Sequence, residues 1–213
     1  MRHATGSHRL DLVTNRANLA HLGTMRVIGI TGTLGSGKGA VVDYLVQTCG
    51  FAHFSVRSML TKIIVERGLP VDRPSMVLVA NGLRVEHSPS YLVERLLEEA
   101  GATGADCIIE SIRTLGEVAK LKEVDALLFA VDAPPRLRYD RIVKRASETD
   151  AVSFDQFVAA EQLEMDSAGD ESKQSLGACI AAADAAFKNN GSLEELHAQV
   201  QAALASLEGE RSS

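Results

Sequence analysis

The sequence predicts an α/β fold in three layers: a five-stranded parallel sheet with helices on both faces. Three observations carry this. Short apolar runs at 26–31, 51–54, 106–110, 126–131 and 185–188 read as buried strands. Helical patterns separate these runs, an alternation that builds a parallel sheet covered by crossover helices. Between the first strand and the first helix lies Gly32-Thr33-Leu34-Gly35-Ser36-Gly37-Lys38-Gly39, which fits a phosphate-binding loop in every position except the last. The glycines let the backbone wrap around phosphate oxygens, and the helix that follows points its free N–H groups at the anion. Gly32, Thr33, Gly35, Ser36, Gly37, Lys38, Gly39 and Ala40 are therefore candidate ATP-binding residues, with Lys38 reaching the outer phosphates as a point charge. The alternative, a glycine-rich turn without a ligand, does not need the strand and helix on either side. With this loop the fold is a P-loop NTPase fold.

The departure at Gly39 is informative. A Ser or Thr there would hold Mg²⁺ directly. Its absence argues against GTPase and motor-type P-loop proteins and fits smaller kinases, in which the metal is held largely through water.

The remaining elements follow from local signals. The first helix ends near Cys49-Gly50, with glycine as the stop. A second helix, about 57–67, is opened by Ser55 as N-cap and stops before Gly68-Leu69-Pro70. A helical segment at about 74–100 separates the second and third strands. Thr114-x-x-Glu117, Ser153-x-x-Gln156 and Ser192-x-x-Glu195 are capping boxes that mark helix starts. Residues 146–175, acidic and rich in Ser and Ala, read as a helical lid or an exposed helical hairpin.

A length of 213 residues suits one α/β domain. Its expected span is 25–205, with a leader at 1–24 and a tail at 206–213. The leader carries Arg2, Arg9 and Arg16 against one acid, Asp11; it reads as a disordered extension, with a mitochondrial presequence as the alternative. The net charge of −6 argues against non-specific nucleic-acid binding, so any anion site must come from local clustering of cations. Cys49, Cys107 and Cys179 are far apart and show no metal spacing, which suits reduced thiols in a cytoplasmic protein. No apolar run is long enough to cross a membrane.

Ligands of such sheets bind at the carboxyl ends of the strands, and the candidate residues fall there. Glu110 ends the run Cys107-Ile108-Ile109 and, beside the phosphate loop, can hold a Mg²⁺-bound water or accept a proton; the alternative is an acid that caps the following helix. Arg113 offers a bidentate grip on phosphate, or a surface ion pair. Arg138, Arg141 and Arg145 are three and four apart and share one helix face, either gathered around a triphosphate or paired in solvent with acids such as Asp140. Arg57, Lys62 and Arg84 are candidates for an acceptor phosphate, though each alone reads more simply as a surface cation.

Together these residues resemble the P-loop kinases of small metabolites, the adenylate kinase and dephospho-CoA kinase group. The loop at 32–39 is similar to the adenylate kinase phosphate loop, with Ala40 where that family usually has Thr. Phe54-Ser55-Val56-Arg57-Ser58-Met59-Leu60 resembles its Ser-Thr-Gly-Asp-Met-Leu-Arg segment, with Ser58 and Thr61 in place of Asp and the last Arg. Glu110-Ser111-Ile112-Arg113-Thr114 resembles its Asp-Gly-Phe-Pro-Arg-Thr segment, and 139–145 its helix leading into the lid. Lys188-Asn189-Asn190-Gly191-Ser192 resembles the segment after the last strand of dephospho-CoA kinases. The resemblance is strongest to the archaeal dephospho-CoA-kinase-related proteins, which share Gly-Lys-Gly without a following Thr and the Gly-Ser-Leu-Glu-Glu ending. It spans about 26–200.

The resemblance implies an acceptor-binding helical region near 56–100 and a lid near 146–175. It implies Lys38, Glu110, Arg113 and Arg145 as catalytic residues, Arg141 against the adenine, Asn189 among the nucleotide-binding residues, Arg57, Arg84 and Arg113 on the acceptor, and Glu110 organising Mg²⁺ through water. The adenylate kinase lid supplies further arginines, whereas this chain has none between Arg145 and Arg211. The expectation is an ATP- and Mg²⁺-dependent phosphotransferase acting on a small nucleotide-like or phosphorylated acceptor, as a monomer or small homo-oligomer. The alternative is a nucleotide-binding sensor or weak ATPase.

Overall fold

The strands β1 (Val27–Gly32), β2 (Ala52–Ser55), β3 (Cys107–Glu110), β4 (Leu127–Asp132) and β5 (Ala185–Lys188) form one sheet in the order β2-β3-β1-β4-β5. Every pairing is parallel. The computed structural model describes residues 25–145, 153–165 and 174–211. The expected leader 1–24, residues 146–152 and 166–173 of the expected lid, and 212–213 of the expected tail lie outside the described residues.

All of β1 is buried, as an apolar run at the centre of a doubly covered sheet must be. Alternation along the strands divides the core into two layers. Ile28, Ile30, Ile108, Phe129 and Val131 pack with Val41 and Leu45 of α1 (Lys38–Cys49) and with Leu196 and Val200 of α9 (Leu193–Arg211). Val27, Cys107, Ile109 and Leu128 face the other way. They pack with α2 (Val56–Glu66), α3 (Arg73–Glu86), α4 (Tyr91–Gly101) and α5 (Leu115–Glu123). The remaining helices among the described residues are α6 (Pro135–Arg145), α7 (Phe154–Met165) and α8 (Leu176–Ala181). The three-layer α/β fold expected from the sequence is the one observed.

Local signals set the boundaries. Gly50 closes α1 in the left-handed region (φ 78°), donating its N–H to the Leu45 carbonyl. Ser55 caps α2 by accepting from the Ser58 N–H. The expected segment 74–100 is two helices: Asp72 caps α3, Pro74 lies in its first turn, and Ser88-Pro89-Ser90 separates it from α4. Proline excludes a continuous helix there because it lacks the N–H and clashes with the preceding turn. Thr114 and Glu117 form the full capping box of α5. Ser153 with Gln156, and Ser192 with Glu195, make the same reciprocal bonds at α7 and α9.

β1 lies between β3 and β4: the chain runs from β1 out to β2, returns to β3, and then crosses to β4 on the other side of β1. The crevice at the carboxyl ends, where the order reverses, is the place such sheets keep for a ligand.

Candidate functional site

The loop from Gly32 to Gly37 leaves β1 and delivers the chain into α1. Gly32 has φ 138°, and a Cβ there would lie 2.1 Å from the Val131 carbonyl oxygen. Gly37 has φ 99°, and its Cβ would meet Asn189 Nδ2 at 2.0 Å. Both positions therefore require glycine twice over, by conformation and by space. Gly39 differs, since a Cβ there would meet nothing within 4 Å. No packing forces the absence of a hydroxyl at that position.

The loop is held from beneath. Asn189, buried just after β5, donates from Nδ2 to the Ser36 carbonyl at 2.8 Å. Arg141 Nη2 donates to the Asn189 carbonyl at 3.0 Å and to its Oδ1 at 3.3 Å. The Thr33 hydroxyl donates to Asp132 Oδ1 at 3.2 Å. Thr33, Ser36 and Asn189 are buried and support the loop, while Gly35, Gly37, Lys38, Gly39 and Ala40 line the cavity above it. The Ser36 Oγ is buried without a hydrogen-bond partner among the described residues.

Lys38 Nζ donates to the carbonyls of Gly32 and Thr33, each at 2.8 Å. Burial, reinforced by the positive charge of Arg113, lowers its pKa to about 7, against the pull of Glu110 and Glu164. An anion on the loop would supply the missing negative charge.

A cavity of about 680 Å³ runs from this loop to α2 and α3. Glu110 stands on its wall at the end of β3, with its Oε2 3.2 Å from His53 Nε2 on β2. Burial pushes the Glu110 carboxyl upward, but the His53 hydrogen bond and the charges of Lys38 and Arg113 outweigh it. The group sits below the usual carboxylate range and is ionised at neutral pH. The next residue, Ser111, has φ 79°, unusual for a residue with a Cβ. That twist lets the N–H groups of both Ser111 and Ile112 bond the Ile30 carbonyl, at 3.0 and 3.1 Å, and turns the chain into the cavity wall.

Arg113 lies beyond that turn. Its backbone N–H donates to Glu117 Oε2 at 2.8 Å, and its Nη1 to Glu164 Oε2 of α7 at 2.9 Å. Arg73, at the start of α3, bonds the other oxygen of the same carboxylate. Glu164 thus joins two arginines that stand 40 positions apart in the chain. Burial raises its pKa, but the two arginines outweigh that, so the net shift is downward.

The structure separates the three arginines expected on one face of α6. Arg141 is half-buried under the loop and Arg145 is exposed at the cavity rim, where both contribute to the wall. Arg138 corrects the reading of a cationic stripe. Only 2% exposed, it donates to the carbonyls of Ala133 (2.6 Å) and Leu34 (3.3 Å), pairs with Glu161 of α7, and lies 5.4 Å from the Phe157 ring centroid. Its role is to fasten α7 to the loop. Arg57 is exposed on the wall. Arg84 touches the wall, but its guanidinium is buried against Glu117 Oε1, with Nε at 3.1 Å and Nη2 at 2.7 Å. The grip on an acceptor expected of Arg84 is not one the structure assembles. Through Glu117, Arg84 instead sets the position of Arg113.

Sequence reasoning missed His53, Arg73, Asp132, Glu161 and Glu164. Arg73 lay inside the expected acceptor-binding region of 56–100, one residue before the helical segment at 74–100, but was not singled out. The two glutamates were legible only as generic acidity of the lid, although their spacing of three on one helix was a usable signal.

Residues 28–164 match the AAA domain family. The chain belongs to that family. This AAA domain is 28% identical over 182 residues to the UPF0200 protein TK1334 of Thermococcus kodakarensis, covering 82% of the chain and 94% of the relative. It is 27% identical over 188 residues to a UPF0200 protein of Methanoculleus marisnigri, covering 87% and 98%. Among solved structures it is similar to TT1252 from Thermus thermophilus (TM-score 0.59, 22% identity, 86% of this chain and 98% of that one). It is also similar to a gluconokinase from Sinorhizobium meliloti (TM-score 0.53, 15% identity, 85% and 93%). At these identities the two structures speak for the fold alone. No helix among the described residues is long and apolar enough to cross a membrane.

Proposed function

We propose that this AAA domain is an ATP-dependent phosphotransferase that moves the γ-phosphate of ATP to a small acceptor of the nucleoside monophosphate or dephospho-CoA type. One observation carries the reading: a single cavity joins the phosphate loop to a second cationic pole formed by Arg57, Arg73 and Arg113, with the ionised Glu110 on the wall of the same cavity. A loop alone binds a nucleotide. A loop facing a second anion-binding pole can bring donor and acceptor together, and positioning with charge neutralisation is most of what phosphoryl transfer needs from a protein.

In this reading Lys38 and the loop N–H groups hold the β- and γ-phosphates, Arg141 and Arg145 lie along the nucleotide, and Arg113 orients the acceptor. Glu110 accepts the acceptor's proton or holds a metal-bound water. The residues fit a Mg²⁺ ion held through water, because Glu110 is an ionised carboxylate on the cavity wall and Gly39 offers no direct hydroxyl ligand. Such an ion would neutralise charge on the phosphates.

A second reading, a nucleotide-binding sensor or weak ATPase, is favoured by Glu164, which already occupies Arg113. Steady-state kinetics separates the two. Under the kinase reading Lys38→Ala lowers kcat by about 10²-fold or more, and Arg113→Ala raises the KM for the acceptor while leaving that for ATP near wild type. Turnover that ignores both substitutions contradicts it.

A further inference from the structure

Helix α7 carries Glu161 and Glu164 three residues apart, on one face. Each holds an arginine that belongs to the body of the domain: Glu161 pairs with Arg138 at the phosphate loop, and Glu164 with Arg73 and Arg113 at the far end of the cavity. In this domain the helix brings carboxylates and the body supplies the guanidiniums. Arg73 and Arg113 come from different elements and converge on one carboxylate, each on its own oxygen. Two like charges brought together need an anion between them. Their arrangement, two guanidinium forks around one anion, is the one that also suits phosphate. The place is reachable from the cavity, since the Arg113 and Arg73 side chains keep 24% and 36% exposure.

We propose that Glu164 is a built-in occupant of the anion site of the acceptor, and that the acceptor is a phosphate monoester whose phosphate displaces it from Arg73 and Arg113. This rests on the phosphotransferase reading for the word acceptor; the anion site itself rests on the three side chains. A phosphate monoester carries more charge than a carboxylate and has three terminal oxygens for the two forks. It can outcompete Glu164 where a neutral polyol cannot. The exchange is also a signal. Releasing Glu164 removes one of the contacts that hold α7 over the cavity, so acceptor binding is coupled to the seating of that helix.

The test is a calorimetric titration of inorganic phosphate into full-length protein whose loop is first saturated with ADP. Glu164→Gln is expected to bind phosphate about tenfold more tightly than wild type, because a competing charge beside two arginines is removed. Adding Arg113→Ala in the same chain is expected to abolish the gain. Acetate, titrated in parallel, is expected to gain far less. Unchanged or weaker phosphate binding by Glu164→Gln overturns the proposal, and an equal gain for acetate overturns the phosphate assignment. Hydrogen exchange of residues 154–165 in the wild-type protein needs no variant: phosphate is expected to speed it, and slower or unchanged exchange contradicts the displacement. ADP binding is read separately. Its absence sinks the nucleotide reading, while a phosphate gain that depends on Arg113 still supports the anion site.

Discussion

Burial of Lys38, reinforced by the positive charge of Arg113, lowers the pKa of its ammonium to about 7, although the group donates to two carbonyls of its own loop. The free protein therefore has Lys38 largely uncharged at pH 8 and charged at pH 6. A bound polyphosphate restores the charge, so ADP binding at pH 8 should take up close to one proton and at pH 6 close to none. Calorimetry in buffers of different ionisation enthalpy measures this directly, and equal uptake at both values would contradict the assignment. Gly37 supplies a second residue-level prediction. With φ 99° and Asn189 Nδ2 2.0 Å from a would-be Cβ, Gly37→Ala must shift the loop or its support. Strain of this kind should weaken ADP binding by about tenfold or more, while thermal unfolding shows the sheet intact. These loop residues were legible in the sequence because their chemistry is local: glycine, lysine and helix start lie within eight positions. Arg73 and Glu164 were not legible, since they meet across 91 positions and only the fold brings them together.

At the scale of elements, helix starts were readable for the same reason. Thr114, Ser153 and Ser192 each find a partner three residues on, and a capping box needs nothing from the rest of the chain. Arg84 shows where such reading stops. Its sequence neighbours suggest a surface cation of α3, yet the guanidinium is buried against Glu117, which also accepts from the Arg113 N–H and lies in the first turn of α5. The pair thus joins α3 to the turn that presents Arg113. Replacing one partner leaves the other charge buried and uncompensated, so Arg84→Ala should cost about 3–5 kcal/mol of stability. Denaturant unfolding checks this, and a loss under 1 kcal/mol would show that the pair is not what joins these elements. Arg138 was misread in the same way. Its spacing with Arg141 and Arg145 suggested one shared cationic face, at a triphosphate or in solvent, but α7 and Phe157 pack over it.

Over the whole molecule, the strand order places the ends of β1, β2, β3 and β4 around one crevice. That is why Lys38, Glu110 and Arg113, distant in sequence, stand on one cavity wall. A chain of net charge −6 collects Lys38, Arg57, Arg73, Arg113, Arg141 and Arg145 there, which gives an otherwise acidic protein a local attraction for anions. On the kinase reading this cavity takes two anionic ligands and passes a phosphoryl group between them. The most direct test of that reading is ADP release from ATP by the wild-type protein across a panel of nucleoside monophosphates, dephospho-CoA and small phosphorylated metabolites, with Lys38→Ala alongside. The expected result is turnover that requires one class of phosphorylated acceptor and is lost in Lys38→Ala. ATP binding with no acceptor-stimulated turnover across the panel would contradict it and leave a nucleotide sensor.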